Sequence, residues 1–189
     1  EDGCTVFELE NSQNTQWIPG QHGIFSVPGA KFKGSKIRPF SIASVPEEGI
    51  ILLGTKISDA PSNFKAVWRD LQPGELIQMR GPFGWFYLQD ETSPVVMVAG
   101  GVGITPIRAL FKELEKGNER NVTLIYSARE SYLFKDELDT IAARDPKISI
   151  VYTHTVEDTQ AALKNELNIN GSAAHYFISG APRMITGIS

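Results

Sequence analysis

A short apolar run that leads directly into a glycine cluster constrains the fold of this 189-residue chain more than any other feature. Residues 94–99 read PVVMVA, a composition typical of a strand buried on both faces of a parallel sheet. Glycines follow at once in the motif GGVGITP of residues 100–106, and a helix-like pattern covers residues 107–114. The sequence therefore predicts a strand, a tight turn and a helix in succession.

This strand-turn-helix pattern is typical of an anion-binding site. Turn glycines let the backbone approach a pyrophosphate closely, and the free N–H groups at the helix start face it together with the positive end of the helix dipole. Thr105 can add a hydroxyl, and Pro106 fits the first helical turn because its missing N–H would be unsatisfied there. We expect a pyrophosphate site, although the motif alone is also compatible with a tight turn that binds no ligand.

The periodicity of the sequence divides the chain into two predicted domains, residues 1–90 and 91–189. The first contains short strand-like runs, the last of them at residues 76–80, which are separated by proline and glycine turns and predict a small antiparallel barrel. A helix over residues 62–71 interrupts it, with Ser62 or Asn63 as N-cap. The second alternates strands with helices, and after the helix that begins at residue 107 it predicts helices over residues 135–144 and 160–167. This is the pattern of a doubly wound parallel sheet, whose ligands bind beyond the carboxyl ends of the strands.

Composition narrows the range of partners and sites. Acidic residues outnumber basic ones by 22 to 18 without any Lys/Arg-rich run, so we expect neither nucleic acid nor an anionic membrane as a partner. The single Cys4 excludes an internal disulfide and an iron-sulfur cluster held by this chain, and isolated histidines argue against a metal site. With neither a signal peptide nor a membrane-length apolar stretch, we expect a cytoplasmic chain, alone or as the cytoplasmic part of a larger or membrane-tethered protein.

Six short motifs follow one another in a particular order. They are PGQ at 19–21, RPFS at 38–41, GPFG at 81–84, GGVGITP at 100–106, YSAR at 126–129 and SGAP at 179–182. In this order and spacing they resemble the ferredoxin-NADP reductase superfamily, which includes flavin reductases and the reductase modules of oxygenases, over nearly the whole chain. The resemblance implies an antiparallel FAD-binding β-barrel followed by an NAD(P)-binding α/β domain that is incomplete at its C-terminal end.

The resemblance implies a flavin site at the RPFS motif. Arg38 would pair with the FAD pyrophosphate, since a guanidinium can make a bidentate contact with phosphate oxygens. Phe40 occupies the position where the family usually places a tyrosine against the isoalloxazine, so it keeps the stacking surface without the phenol hydroxyl. Ser41 would bring a hydroxyl near flavin N5, the hydride acceptor. Pro39 limits the segment to an edge strand or a bulge, and an ordinary strand with a surface arginine is the alternative interpretation.

Two further segments are assigned to the flavin by the resemblance. They are the strand residues Thr55, Lys56 and Ile57 and the loop residues Ser62, Asn63 and Phe64. The strand would lie beside the flavin and its phosphates, largely through main-chain contacts, and the loop would close over the diphosphate with amides at a helix start. Exposure statistics alone are equally compatible with Lys56 as a solvated strand residue.

On the nicotinamide side, the resemblance assigns the pyrophosphate to Gly101, Gly103 and Thr105. Ser127 and Arg129 follow the next strand, at the position where members of the family bind the adenosine ribose. They could bind a 2′-phosphate. This slightly favours NADPH while leaving NADH open. A solvated loop is the alternative interpretation of Arg129.

The SGAP motif departs from the usual family pattern of Cys-Gly-Pro-Pro. Ser179 stands where the cysteine would lie close to the hydride-donating carbon of the nicotinamide, followed by Gly180 and Pro182. Serine is a polar substitute that should permit transfer, because the chemistry belongs to the cofactors and the protein mainly aligns them. We therefore assign Ser41 and Ser179 to the hydride-transfer site.

These expectations combine into one leading function. It is a flavin-dependent oxidoreductase that passes hydride from NAD(P)H to FAD and sends electrons on to a separate acceptor. The acceptor could be a ferredoxin, a flavodoxin, an iron-sulfur partner or a fused redox domain. Two alternatives stay open: an NAD(P)H:flavin reductase that uses flavin as a substrate, and a noncatalytic nucleotide-binding electron-relay subunit.

Overall fold

A computed structural model describes residues 4–31, 34–58 and 60–188 of the chain. The first part, here called the antiparallel half, contains strands β1 (Cys4–Glu10), β2 (His22–Ser26), β3 (Arg38–Ser41), β4 (Ile50–Lys56) and β5 (Gln78–Phe83), with helix α1 (Asn63–Arg69) before β5. The second part, the parallel half, contains β6 (Val95–Gly100), α2 (Ile104–Leu114), β7 (Val122–Ser127), α3 (Lys135–Arg144), β8 (Ile148–Thr153), α4 (Val156–Asn170), β9 (His175–Ser179) and α5 (Pro182–Ile188).

The antiparallel strands form two separate ladders, β1 with β4 and β3-β2-β5. Alternate side chains face a shared core in which Phe25, Leu53 and Trp68 are at most 1% exposed. Helix α1 supplies Trp68 to this core and begins at the N-cap Ser62, whose hydroxyl accepts a hydrogen bond from the Lys65 amide. Capping thus sets where α1 starts, and the buried indole holds the helix against the sheets.

The parallel sheet has the strand order β8-β7-β6-β9. Strand β6 is buried on both faces because helices α2 and α3 cover one side of the sheet and α4 and α5 the other, and residues 95–99 are each at most 1% exposed. The chain order reverses between β6 and β9, which makes their carboxyl ends a topological switch point. The β plus α/β fold class predicted from sequence is confirmed.

Two helices in the parallel half differ from the sequence-based expectation. Helix α2 begins at Ile104 instead of Ile107, because a 3-10 turn over Gly101–Gly103 leads directly into it. Helix α4 begins at Val156, four residues before the predicted start, since the Thr155 hydroxyl caps it by accepting from the Asp158 amide. The helix starts therefore lie closer to the strand ends than expected.

Two further elements also differ. Strand β5 covers Gln78–Phe83 instead of residues 76–80, and Leu76 is 79% exposed outside it. Helix α5 over Pro182–Ile188 was not predicted at all. Its first turn lies just after Ser179, which brings it to the switch point.

Candidate cofactor-binding site

The strand registers bring the predicted nucleotide-binding residues to one edge of the parallel sheet. Ser179 at the end of β9 is paired with Ala99 of β6, and Gly100 is paired with Ser127 at the end of β7. Ser127 is in turn paired with Thr153 of β8. The carboxyl ends of all four strands therefore meet around the glycine turn.

Gly101 and Gly103 have different surroundings within this turn. Gly101 has a φ of +53°, and a Cβ built on it would meet nothing within 4 Å. A Cβ on Gly103 would lie 2.2 Å from the Ser179 carbonyl oxygen and 2.7 Å from the Gly180 Cα. Gly101 thus borders open space where a ligand could approach, whereas Gly103 allows the end of β9 to pack against the turn.

Thr105 is buried at the junction of the two halves. Its hydroxyl donates to the Val102 carbonyl at 3.0 Å, and a Cβ on Gly54 of β4 would lie 2.6 Å from its methyl group. The Thr105 hydroxyl, which was predicted to bind a pyrophosphate, therefore already donates its hydrogen bond within the turn. Thr105 closes the turn and fixes its distance from β4.

A buried tyrosine supports the glycine turn from below. The Tyr126 hydroxyl lies 3.3 Å from the carbonyl oxygens of both Gly101 and Leu133, and its ring packs edge-on against Tyr132. Burial raises the pKa of Tyr126, so the phenol stays protonated and acts as a donor. This contact orients the Gly101 carbonyl.

The residues predicted to bind the ribose lie just beyond β7. Ser127 is half-buried and Arg129 is exposed, and Arg129 has no carboxylate within ion-pair distance among the described residues. The neighbouring Glu130 instead faces Lys56 of β4 at 3.9 Å. Arg129 is thus a cation at the sheet edge whose charge is available to a ligand.

Helix α5 is anchored at the switch point by a methionine. A Cβ on Gly100 would lie 1.8 Å from the Met184 sulfur, and one on Gly180 would lie 2.7 Å from the same atom. Because Gly100 and Gly180 have no side chains, there is space for the Met184 side chain against both of them. Pro182 forms the first residue of the helix that this contact holds.

The predicted flavin-diphosphate residues form a second cluster, in the antiparallel half. The Arg38 guanidinium lies 5.9 Å from the centroid of the Phe64 ring, next to the first turn of α1. Burial, and then the nearby positive charge of Arg38, lower the pKa of Lys65. Within the described part of the chain, no carboxylate pairs with either cation. Two unneutralised cations that face each other at the capped start of a helix fit a diphosphate.

Phe40 and Ser41 point to opposite faces of β3, as neighbouring residues of a strand do. The Phe40 ring is half-buried in an aromatic cluster, with its centroid 5.0 Å from that of Trp68 and 6.2 Å from that of Phe64. Ser41 is half-buried and is paired with His22 on the neighbouring strand. Phe40 is therefore held firmly by the core, while Ser41 lies on the face away from that cluster.

Strand β4 connects the two clusters. The Lys65 ammonium donates to the Lys56 carbonyl at 2.5 Å, and two residues earlier Gly54 contacts Thr105. Thr55 between them is 5% exposed, and Ile57 follows the strand half-buried. The start of α1 and the start of α2 therefore lie against the same short stretch of strand.

The most connected residue at this junction is one that the sequence analysis missed. Arg108 of α2 is 5% exposed and donates to Glu48, to Glu137 and to the Ala43 carbonyl, all between 2.7 and 3.0 Å. Glu48 and Ala43 belong to the antiparallel half and Glu137 to α3. An arginine inside a predicted helix was the available signal, but its partners lie 29 to 65 residues away in sequence.

The described residues contain neither a candidate membrane-spanning helix nor a candidate metal site. No helix in the described ranges is long and apolar enough to cross a membrane. Across residues 4–31, 34–58 and 60–188, no three His, Cys, Asp or Glu side chains are grouped so as to hold a metal ion.

Comparisons with known proteins agree with this architecture. Residues 97–189 match the family model of the oxidoreductase NAD-binding domain. The structure superposes on the ferredoxin-NADP+ reductase of Plasmodium falciparum with a TM-score of 0.84 at 18% sequence identity, covering 98% of this chain and 81% of that one. At this identity the likeness shows that the two proteins share a fold.

Two curated relatives are similar in sequence. One is a component of the Na(+)-translocating NADH-quinone reductase of Neisseria meningitidis, which is 34% identical over 127 residues, 60% of this chain and 31% of the relative. The other is the toluate 1,2-dioxygenase electron transfer component of Pseudomonas putida, which is 26% identical over 191 residues, 92% of this chain and 53% of the relative. The chain thus spans between a third and about half of the length of these relatives. Together with the fold and the family model, these matches support the resemblance of the chain to the ferredoxin-NADP reductase superfamily.

Proposed function

We propose that the chain is a flavin-dependent oxidoreductase that passes hydride from NAD(P)H to FAD and electrons on to a separate acceptor. Residues 1–90 would form the FAD-binding domain and residues 91–189 the NAD(P)-binding domain. One observation carries this proposal. The cation cluster of Arg38 and Lys65 and the open glycine turn at Gly101 both lie along strand β4, so a flavin and a nicotinamide nucleotide could occupy adjacent positions.

The antiparallel half would hold the flavin. Arg38 and Lys65 supply the positive charge for the diphosphate, and the amides around Ser62 and Asn63 supply neutral donors. Phe40 would offer ring surface to the isoalloxazine, and Ser41 a hydroxyl to its reactive edge. Bound FAD supplies the redox chemistry, because it accepts a hydride and can release the two electrons one at a time.

The parallel half would hold the nucleotide. The Gly101 turn provides amides to the pyrophosphate, and Arg129 with Ser127 provides the charge and hydroxyl suited to a ribose 2′-phosphate. Ser179 would lie beside the nicotinamide, because its strand end packs directly against the turn at Gly103. These residues bind and orient the nucleotide, which brings the donor carbon toward the flavin.

The acceptor would be another redox centre. The similar proteins are named as an electron transfer component and as part of a quinone reductase, so we propose a partner protein or a fused redox domain as the recipient. A ferredoxin, a flavodoxin or an iron-sulfur protein would each meet this requirement. We propose that the chain acts in the cytoplasm, where NAD(P)H is available, alone or as the cytoplasmic part of a larger or membrane-tethered protein.

A second candidate is an NAD(P)H:flavin reductase that binds flavin as a substrate. The observation in its favour is Phe40, which lacks the phenol hydroxyl that would hold a resident flavin. The Phe40 ring also packs against Trp68 in the aromatic cluster. The two candidates differ in whether FAD stays bound through dialysis. Noncatalytic relay is the third possibility, and it predicts binding of nucleotide without turnover.

The visible spectrum of the purified full chain tests the proposal. The chain is supplemented with FAD, dialysed and titrated anaerobically with NADPH and then, in a fresh sample, with NADH. Retained flavin that bleaches with either nucleotide supports the proposed oxidoreductase. Loss of the flavin on dialysis, followed by bleaching when excess free FAD is added back, identifies the flavin reductase. A flavin that neither nucleotide reduces under either condition contradicts both.

A further inference from the structure

Arg108 links the two candidate cofactor sites through a continuous set of short contacts. Its guanidinium donates to both carboxylate oxygens of Glu48, at 2.8 and 3.0 Å, and to the Ala43 carbonyl at 2.8 Å. Ala43 lies two residues after Ser41, at the predicted flavin edge. Arg108 itself lies one helical turn after Thr105, which closes the glycine turn. The guanidinium thus bridges the two halves between the two candidate sites.

Both ends of this link are rigid. Helix α2 is almost entirely buried, so a displacement of Arg108 moves the helix start and the glycine turn with it. On the other side, the Val45 amide donates to Glu48 at 2.8 Å, and the Ala43 amide donates to the Leu52 carbonyl of β4 at 2.8 Å. The two sites are therefore connected by a continuous set of hydrogen bonds through Arg108, Glu48 and Ala43.

We infer that Arg108 is a positioning residue for hydride transfer: through Glu48 and the Ala43 carbonyl, it fixes the distance between the nicotinamide and flavin sites. This inference rests on the proposed function. A planar guanidinium is suited to the role because it satisfies two carboxylates and a carbonyl at the same time with fixed geometry, which a lysine ammonium cannot do. Hydride transfer is sensitive to such alignment, since the reacting atoms must approach to near contact.

The structure provides a matched control in Glu137. Arg108 binds Glu137 in the same bidentate manner, with both oxygens at 2.7 Å, and the two carboxylates are similarly shielded, with side-chain exposures of 22% for Glu48 and 32% for Glu137. Glu137 lies on α3, within the same half as Arg108. Glu137→Gln therefore weakens a comparable ion pair without touching the link between the halves, whereas Glu48→Gln weakens the link itself.

The experiment compares Glu48→Gln, Glu137→Gln and wild type as full chains loaded with FAD. Stopped-flow reduction at saturating nucleotide gives the limiting rate, and titrations give the dissociation constants of FAD and nucleotide. We expect Glu48→Gln to lower the limiting rate about tenfold or more, with both dissociation constants within about twofold of wild type. The long-wavelength charge-transfer absorbance between nicotinamide and flavin should weaken in parallel. Glu137→Gln should match wild type in all of these.

A cofactor-independent measurement separates the possible failures. Residual dipolar couplings of the apo chains report the relative orientation of the two halves, which should change in Glu48→Gln and not in Glu137→Gln. Wild-type flavin that neither nucleotide reduces overturns the proposed function, and this inference with it. If the wild-type flavin is reduced but the two variants have equal rates, equal charge-transfer bands or equal couplings, the proposed function stands. Such a result overturns only the positioning role of Arg108.

Discussion

The carbonyl oxygen of Ser179 occupies the space where a side chain on Gly103 would begin. A Cβ there would approach the oxygen to 2.2 Å and the carbonyl carbon to 2.5 Å, and both are backbone atoms that cannot move aside alone. Two motifs that lie far apart in the sequence are thus in close backbone contact, and this contact requires glycine at position 103. Gly103 allows the end of β9, and with it Ser179, to lie against the glycine turn.

This contact predicts different consequences for the two turn glycines. Gly103→Ala should cost on the order of 3 kcal/mol in the free energy of unfolding, because it overpacks backbone against backbone. Gly101→Ala borders open space and should cost only about 1 kcal/mol, from its positive φ. Urea unfolding measures both. The same Gly101→Ala chain should lose nucleotide affinity, and normal affinity would contradict the assignment of Gly101 to the pyrophosphate.

Arg38→Ala should weaken FAD binding. Removal of a charged hydrogen-bond donor to the diphosphate costs about 2 kcal/mol, or roughly 30-fold in the dissociation constant. Arg69→Ala is the matched control, because Arg69 lies on the same helix as Lys65 but pairs with Asp70. Flavin fluorescence titration gives both constants. Equal affinity in the two variants would show that Arg38 is an ordinary surface arginine.

Arg129→Ala tests the choice of nucleotide. If Arg129 meets a 2′-phosphate, the variant should bind NADPH roughly tenfold or more weakly, through loss of a charge-assisted hydrogen bond, and should bind NADH as before. Arg144→Ala serves as control, since Arg144 pairs with Glu115 at the far ends of helices α2 and α3. Isothermal titration with each nucleotide distinguishes the cases. Unchanged NADPH binding would indicate that Arg129 is a solvated loop residue.

The ion pair between Glu48 and Arg108 predicts how stability depends on pH. Burial alone would raise the pKa of Glu48, but hydrogen bonds from Arg108 and the Val45 amide outweigh it and lower the pKa from its ordinary value of 4.5. A carboxyl with a lowered pKa in the folded state contributes its full stability above pH 4.5 and loses it as the pH falls below that value.

Glu48→Gln should therefore be about 2 kcal/mol less stable than wild type at pH 7, because the buried guanidinium loses one of its two carboxylate partners and keeps the other, Glu137. The difference should shrink as the pH falls below 4.5, where the wild-type carboxyl becomes protonated. Urea unfolding of both chains from neutral to acidic pH measures it. A difference that stays constant over this range would show that the charge of Glu48 contributes nothing to stability.

Local signals in the sequence were sufficient for much of the fold. The buried run before Gly100 predicts strand β6 because β-branched residues without alternation occur in sheets covered on both faces. Helix α3 was predicted with its observed bounds, Lys135–Arg144, since its polar and apolar positions alternate with helical period. Ser62 or Asn63 was predicted as the N-cap of the helix, and Ser62 caps α1.

Contacts between distant segments could not be read in the same way. Gly103 looks like any turn glycine until Ser179 is placed beside it, and Arg108 looks like a solvated helix residue until Glu48 and Glu137 converge on it. Thr105 has a hydroxyl suited to phosphate, yet the turn already uses its proton. Each of these properties depends on tertiary neighbours, and composition and spacing carry no trace of them.

The pairing of β4 with β1 has a consequence for how sequence change can spread. Strand β4 presents Gly54 to Thr105 and the Lys56 carbonyl to Lys65, so its register decides which residues face both helix starts. A slip of one residue would turn Gly54 away and place a bulky neighbour there. Substitutions in β1, a strand without any cofactor motif, are thus able to alter the alignment of the two candidate cofactor sites, and tolerance at those positions depends on strand register as much as on packing.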